Sequence, residues 1–197
     1  MNFHATTTSM LLREYLATDD PASFALIDQR YRPIVQGLAR RAGLGSEEAE
    51  DVAQETLIRV ARSAKHFDSE KARLRSWLFA IARNCLIDAM KARQKRRGWR
   101  GDSAVHELAA EPEVNRWWDR ECEAEVLRKA IEELRANTRT DERTIDAFVR
   151  FTLDQQPAES IARDLEITVD QVYVAKSRCL VKLRPIVKRL REIYELD

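Results

Sequence analysis

Apolar residues recur at three- and four-residue intervals along most of the chain, and this spacing is typical of amphipathic helices. Asp20 followed by Pro is a good helix start, and Gly43 predicts where that helix ends. Ser46, followed by two acids, predicts the cap of the next helix. A polar loop over 66–73 then precedes a long helix predicted over 74–96. The pattern indicates an all-α protein.

The periodicity weakens between residues 98 and 113, where the sequence GWRGDSAVHELAAEPE contains two glycines and a proline. Such a stretch is typical of a linker. We therefore expect two small helical domains, 1–97 and 114–197, joined by the linker 98–113. Trp118 is expected to anchor the core of the second domain, whereas the pattern assigns no role to Trp117.

Two short helical segments near the C-terminal end are separated by a tight turn. Pro157 begins the first, Glu166 and Ile167 form the turn, and Thr168 with Gln171 makes a T-x-x-Q capping box for the second. A capped basic helix after a tight turn has the layout of a helix-turn-helix that enters the major groove. A helical hairpin with a purely structural role has the same pattern, so this second interpretation remains an alternative. The outward face of the second helix comprises Gln171, Tyr173, Val174, Lys176, Ser177, Arg178 and Lys182.

Charge is sorted along the chain although the net charge is only +1. Residues 83–100 contain seven bases and one acid, and residues 172–191 contain seven bases and no acid. Residues 47–55 contain five acids and no base, and residues 111–125 contain six acids and two bases. Two basic blocks separated by acidic stretches indicate two contacts with a polyanion. The alternative interpretation is that these charged blocks are solvated helix faces without a polyanion partner.

Several classes of protein are not expected from this sequence. No apolar run approaches the ~20 residues of a transmembrane span, and no secretory signal pattern precedes the first helix. The three cysteines contain no CxxC pair, and His4, His66 and His106 are scattered. No nucleophile–base pair, glycine-rich phosphate loop or metal-ligand spacing occurs. We expect a cytoplasmic protein that is not an enzyme, with no metal, no cofactor and no membrane contact.

Two motifs in the first half resemble conserved region 2 of bacterial sigma factors. D-x-x-Q-E begins at Asp51, and WL-x-x-IARN runs from Trp77 to Asn84. The nearest group is the compact extracytoplasmic-function (ECF) type of the sigma-70 family, and residues 126–190 are similar to its region 4. The resemblance covers all but the N-terminal tip and the linker. It implies a region 2 helical bundle, a region 4 helix-turn-helix, and a role in promoter-specific transcription initiation.

The resemblance also implies partners. These are core RNA polymerase, through its β′ clamp and β flap, and promoter DNA; control by an anti-sigma factor is a habit of the family. Asp51, Gln54 and Glu55 match the surface that docks on the β′ coiled coil, and an exposed acidic face suits a basic partner helix. Without the motif, the favoured interpretation is that Asp51 and Glu55 form ion pairs with Arg59 in the same helix or stabilise a helix start.

The segment from Phe67 into the following helix matches the part of the family that captures bases of the −10 element. Unstacked bases need aromatic platforms and a basic track. Core packing is the favoured interpretation of Trp77. Asp88 is expected to be structural, either pairing with an Arg or capping a neighbouring backbone. The residues implied in −10 binding are Phe67, Arg73, Arg75, Asn84, Lys91 and Arg93.

The second basic helix matches the family's reader of the −35 element. Tyr173 departs from the family pattern, which has Lys or Arg at this position, so contact with a thymine methyl or a phosphate is expected instead. The residues implied in −35 binding are Gln171, Tyr173, Lys176, Ser177, Arg178 and Lys182.

Two other functions remain as alternatives. A self-sufficient operator-binding regulator would use the same helix-turn-helix but would need a dimer seam, and the sequence has no heptad run. A helical adaptor that binds only proteins would leave the basic blocks as solubilising surface. Binding of promoter DNA by the chain alone distinguishes the regulator from a sigma factor, which needs core polymerase.

Overall fold

All regular structure in residues 6–96, 112–137 and 140–196, which the computed structural model describes, is helical, as the sequence predicts. The helix predicted over 74–96 is found with those bounds. The α-helices are α1 (Thr8–Thr18), α2 (Pro21–Arg41), α3 (Ser46–Ser63), α4 (Leu74–Arg96), α5 (Pro112–Asn137), α6 (Glu142–Thr152), α7 (Ala158–Asp164) and α8 (Val169–Ile193), and a 3₁₀ turn (Ala64–His66) follows α3.

Local capping determines where the first long helices begin and end. The Asp20 carboxylate accepts the N–H of Ala22 at 3.0 Å, as expected for a cap at the start of α2. The prediction that Ser46 caps α3 is wrong, because Gly45 holds the cap position and Ser46 is the first helical residue. The Glu48 carboxylate accepts the Gly45 N–H at 3.2 Å and so stabilises this start.

The chain divides into two compact units, Met1–Glu125 with Ile193–Asp197, and Val126–Glu192. The division falls inside α5, whereas the sequence predicts a linker over 98–113, of which only the last two residues lie in the described part. The first half of α5 belongs to unit 1 because it buries a stripe of side chains there. Those side chains are Val114, Trp118 and Cys122.

Unit 1 is built on the packing of α2 against α1 and α3, and of α3 against α4. Apolar side chains repeat at helical spacing on each of these helices and are buried together. Trp118 is 3% exposed and packs against Tyr31 and Phe79, at ring-centroid distances of 6.1 and 5.3 Å. It therefore anchors unit 1, not the second domain as predicted.

Unit 2 contains the predicted helix-turn-helix, formed by α7, a tight turn and α8. Glu166 adopts a left-handed conformation (φ 53°) in the turn, and the Ile167 N–H donates to the Ala162 carbonyl at 2.9 Å. The small and branched side chains on the facing helices form one core, which fixes α8 against α7. Its members are Ala147, Ala158, Ile161, Ala162, Val172 and Ala175.

Candidate functional site

The acids of α3 are divided between structural and exposed positions. Besides binding the Gly45 N–H, Glu48 pairs with Arg96 at 3.0 Å, and Glu50 binds Arg32 of α2. Asp51 and Gln54 are exposed. Since Glu55 lies one turn after Asp51, Asp51, Gln54 and Glu55 share one side of α3, as a docking surface would require.

Glu55 also takes part in an ion-pair chain between α3 and α4. Arg59 Nε lies 2.6 Å from the Glu55 carboxylate, and Arg59 Nη1 lies 3.0 Å from the Asp88 carboxylate. The hydrogen bond from Arg59 to Glu55 is the largest cause that raises the pKa of Arg59. Pairing of Glu55 with Arg59, and of Asp88 with an arginine, is thereby confirmed. All three side chains keep substantial solvent exposure, so the pairs leave Glu55 accessible.

Phe67 and Trp77 form an aromatic pair beside the loop that precedes α4. Their ring centroids are 5.0 Å apart, and both residues are partly buried. Trp77 is thus neither a fully buried core residue nor a free stacking platform. Asn84 is exposed on α4 two turns after Trp77, and this seven-residue separation puts both on one face of the helix.

Arg75 is engaged by α5, which sequence reasoning did not foresee. Its guanidinium forms an ion pair with Asp119, and its side chain is 25% exposed. Burial alone lowers the pKa of Arg75, but the neighbouring Cys122 and Asp119 together raise it above the ordinary value. The acid-rich stretch 111–125 was the one sequence signal for this contact, yet it did not name the partner.

The basic end of α4 is partly tied to unit 1. Arg93 Nη1 donates to the Gly43 carbonyl and lies 3.7 Å from the Glu48 carboxylate. Lys91 is partly buried and Arg73 is exposed. The end of the basic block, residues 97–100, lies outside the described residues.

The predicted capping box at the start of α8 is present. The Thr168 hydroxyl accepts the Gln171 N–H at 3.2 Å, and the Gln171 amide oxygen accepts the Thr168 N–H at 2.8 Å. Two N–H groups at this helix start are therefore satisfied. Gln171, one of the predicted −35 residues, is also a structural cap of the helix that would carry it.

Phe151 of α6 positions two of the predicted −35 residues. Tyr173 meets its ring edge-on at 5.3 Å and 84° and stays 50% exposed. Lys176 Nζ lies 5.3 Å from the Phe151 centroid in a cation–π contact. The Phe151 ring therefore holds Tyr173 and Lys176 in place on the solvent side of α8. Farther along the helix, Lys182 donates to the Thr140 hydroxyl at 2.6 Å.

Ser177 and Arg178 complete the set that the sequence predicts on α8. Both are exposed, as expected for an outward face. With Tyr173 and Lys182 they present hydroxyl, phenol, guanidinium and ammonium groups, which suit phosphates and base edges.

The three cysteines are buried and free. Burial raises the pKa of Cys122 to about 11, and it also raises those of Cys85 and Cys179. These thiols are protonated at neutral pH and so are poor nucleophiles. No cluster of His, Cys, Asp and Glu that could hold a metal ion occurs among the residues described. Within the same residues, no helix is both long and apolar enough to cross a membrane.

Comparison with known proteins gives one family. Residues 27–96 match the family model of sigma-70 region 2. The chain is 35% identical over 81 residues to ECF RNA polymerase sigma factor RpoE of Cereibacter sphaeroides, which covers 41% of this chain and 45% of that protein. It is 32% identical over 114 residues to ECF RNA polymerase sigma factor SigL of Mycobacterium tuberculosis, covering 57% of this chain and 64% of SigL.

A third relative is RNA polymerase sigma factor NccH of Alcaligenes xylosoxydans, 32% identical over 80 residues, with 41% of this chain and 42% of that protein covered. The aligned stretches thus span less than two thirds of the length of each of these relatives. The match to region 2 runs from α2 to the end of α4 and contains both motifs that carried the resemblance. Residues 27–96 therefore match sigma-70 region 2, and the aligned stretches are similar to extracytoplasmic-function sigma factors.

Proposed function

We propose that the chain is an RNA polymerase sigma factor that directs promoter-specific transcription initiation in the cytoplasm. Unit 1 docks on the β′ clamp of core polymerase and captures the opened −10 element. Unit 2, which also meets the β flap, reads the −35 element as duplex. The chain itself performs no chemical step in this role.

The match of residues 27–96 to sigma-70 region 2 carries this proposal. It spans the exposed Asp51 and Gln54 on α3 and the exposed Asn84 on α4. An acidic face and a separate face with Asn and aromatic side chains suit two different partners, a basic helix and an unstacked DNA strand.

The exposed side of α8 supports the −35 assignment. Arg178 and Lys182 supply positive charge, and the ring of Tyr173 supplies apolar surface for a thymine methyl. Since a helix-turn-helix puts the first turns of its second helix into the major groove, Tyr173, Lys176 and Ser177 are the side chains nearest to base edges.

Run-off transcription tests the proposal directly. Purified chain and core polymerase are incubated with a fragment library of genomic DNA, and the 5′ ends of the transcripts are sequenced. We expect starts that are absent with core polymerase alone and that share two upstream elements. Failure to bind core polymerase, or binding without any change of start sites, contradicts the proposal.

The same preparation distinguishes a sigma factor from an operator-binding regulator. The promoters recovered in the run-off experiment are footprinted with the chain alone and with the holoenzyme. A sigma factor protects them only as holoenzyme, whereas a regulator protects them unaided.

A further inference from the structure

The C-terminal segment of the chain, residues 193–196, folds as part of unit 1 although unit 2 precedes it in the sequence. Ile193 is the last residue of α8, and it is buried together with Tyr194 and Leu196. Between them, Glu195 adopts a left-handed conformation (φ 56°), which is costly for a residue with a side chain. Contacts with unit 1 must therefore hold the segment in this conformation.

Helix α1 forms hydrogen bonds with this segment. The buried hydroxyl of Thr8 donates to the Ile193 carbonyl at 3.2 Å, and the Ser9 N–H donates to the Glu195 carboxylate at 3.4 Å. The Ile193 carbonyl lies in the last turn of α8, where carbonyls have no partner within the helix. Thr8 therefore satisfies a polar group that burial takes out of water.

The side chain of Tyr194 meets buried charged groups of α2 and α5. Its hydroxyl donates to the Glu125 carboxylate of α5 at 3.4 Å, and the Arg30 guanidinium of α2 lies 5.8 Å from the centroid of its ring. The ring also packs against Tyr31 of α2, with centroids 6.3 Å apart. Arg30 in turn donates to the Thr8 hydroxyl at 3.3 Å. Three helices of unit 1 thus meet around one tyrosine of the C-terminal segment.

We propose that residues 193–196 form an intramolecular strap that closes unit 1 by joining α1, α2 and α5. Unit 1 contains the candidate polymerase-docking and −10 residues, whereas the strap follows the candidate −35 helix. A chain cut before residue 193 would keep every one of those candidate residues and still have a loosened unit 1. An intact strap is thus a condition for the stability of the unit that the proposed function assigns to polymerase.

Tyr194→Ala in the full chain removes the central side chain of the strap. Fluorescence during urea unfolding reports unit 1, because all four tryptophans precede residue 126; they are Trp77, Trp99, Trp117 and Trp118. We expect Tyr194→Ala to raise the unfolding equilibrium constant of unit 1 about a hundredfold, as the deletion of a large buried side chain does. Leu180→Ala removes a large apolar side chain that is exposed on α8. It is the matched control and should change the constant little.

A milder variant keeps the test decisive if Tyr194→Ala does not fold. Tyr194→Phe retains the ring but loses the hydrogen bond to Glu125, and it should raise the unfolding constant about threefold. Tyr15→Phe removes the hydroxyl of a partly buried tyrosine elsewhere in unit 1 and is its control. If Tyr194→Ala folds, a urea midpoint equal to that of Leu180→Ala overturns the inference. If it does not fold, equal midpoints for Tyr194→Phe and Tyr15→Phe overturn it.

Hydrogen exchange followed by mass spectrometry shows which unit the strap stabilises. In Tyr194→Phe, the amides of α1, α2 and the first half of α5 should exchange about threefold faster than in the wild type. Those of α6 and α7 in unit 2 should keep their rates. Faster exchange by the same factor in both units would overturn the inference, because Tyr194 would then stabilise the whole chain equally.

Neither experiment involves polymerase or DNA. Failure of the strap therefore leaves the proposed function standing, and failure in run-off transcription leaves the strap standing.

Discussion

Asn84 is the exposed polar residue of the WL-x-x-IARN motif, and its position on α4 leaves its amide open to solvent. An amide can both donate and accept, as the edge of an unpaired base requires. Arg75 and Arg93 differ from it, because each is already bonded within unit 1. At the residue scale, the predicted −10 set therefore separates into available and engaged side chains.

Asn84→Ala should impair promoter opening and leave holoenzyme assembly intact. We expect the opened fraction to fall about fivefold, since one hydrogen bond contributes about 1 kcal/mol. Permanganate reactivity of thymines in the −10 region measures opening, and co-purification with core polymerase measures assembly. Asn115→Ala makes the same change at an exposed position of α5 and should have little effect. Normal opening by Asn84→Ala would refute the assignment.

Arg178→Ala should weaken initiation from promoters that depend on a −35 element. The expected loss is about tenfold, because an arginine contact with a base edge contributes about 1–3 kcal/mol. Lys176→Ala should weaken it as well. Lys188→Ala removes a cation near the other end of α8 and is the control. The measurement is run-off transcription from templates with intact and scrambled −35 elements, and an equal loss on both templates would count against base reading.

At the element scale, the start of a helix is fixed by groups that lie close together in the sequence. Two helices with such starts, α3 and α8, carry proposed binding residues. The α8 start depends on the reciprocal bonds between Thr168 and Gln171. The α3 start depends on Glu48, which binds the Gly45 N–H and Arg96. The orientation of each binding helix thus depends on a cap at its N-terminus.

Thr168→Ala should destabilise unit 2 by about 1 kcal/mol, the usual contribution of an N-terminal cap. Thr168→Ser keeps the hydroxyl and should retain most of the stability. Urea unfolding followed by circular dichroism gives both values. If Thr168→Ala and Thr168→Ser unfold at the same urea concentration, the cap has no energetic role.

The carboxylate of Glu48 should make stability depend on pH. Its bond with the Gly45 N–H, assisted by Arg93 and Arg96, lowers its pKa below the ordinary 4.5. The stabilisation is present above pH 4.5 and is lost as the pH falls through the lowered pKa of the folded state. Glu48→Gln should therefore be less stable than the wild type at pH 7, and the gap should close in acid.

Urea midpoints at pH 7 and at pH 3 measure this gap, with Glu47→Gln as a control for charge in the same helical turn. A gap of the same size at both pH values would show that the charge of Glu48 is not the cause.

At the scale of the whole molecule, acidic and basic residues are grouped in separate stretches of the chain. Some of them pair in the folded structure, as Asp119 does with Arg75. The net charge is +1, yet α3 presents Asp51 and α8 presents Arg178 on exposed faces. Such separation allows one chain to meet a basic protein partner and an acidic nucleic acid at different surfaces.

Asp51→Ala combined with Glu55→Ala should weaken binding to core polymerase about tenfold. The charges that face the basic partner are lost, while the fold is kept because both side chains are substantially exposed. Asp154→Ala with Glu159→Ala removes two exposed acids from unit 2 and is the control. Co-purification with core polymerase over a dilution series gives the affinity, and unchanged recovery of the Asp51 and Glu55 variant would refute the docking surface.

Local features were well predicted from sequence because their causes lie within a few residues. The bounds of α4 and the Thr168 capping box follow from periodicity and from side chains three residues apart. The start of α3 was misplaced by one residue, since Gly45 and Ser46 are adjacent and the Glu48 carboxylate decides between them. The pairing of Glu55 with Arg59 is equally local, one helical turn apart.

The sequence by itself determined the helical class, the helix-turn-helix and the sigma-70 motifs, because helix period, caps and motif spacing are written along the chain. Only the tertiary structure decided that Trp118 belongs to unit 1 and that Asp119 binds Arg75, a residue 44 positions away. Periodicity states which face of α5 is apolar but not which helix will cover it. That choice depends on shape and charge matching between distant segments, here on the rings of Tyr31 and Phe79 that meet Trp118 and on the Arg75 guanidinium that meets Asp119.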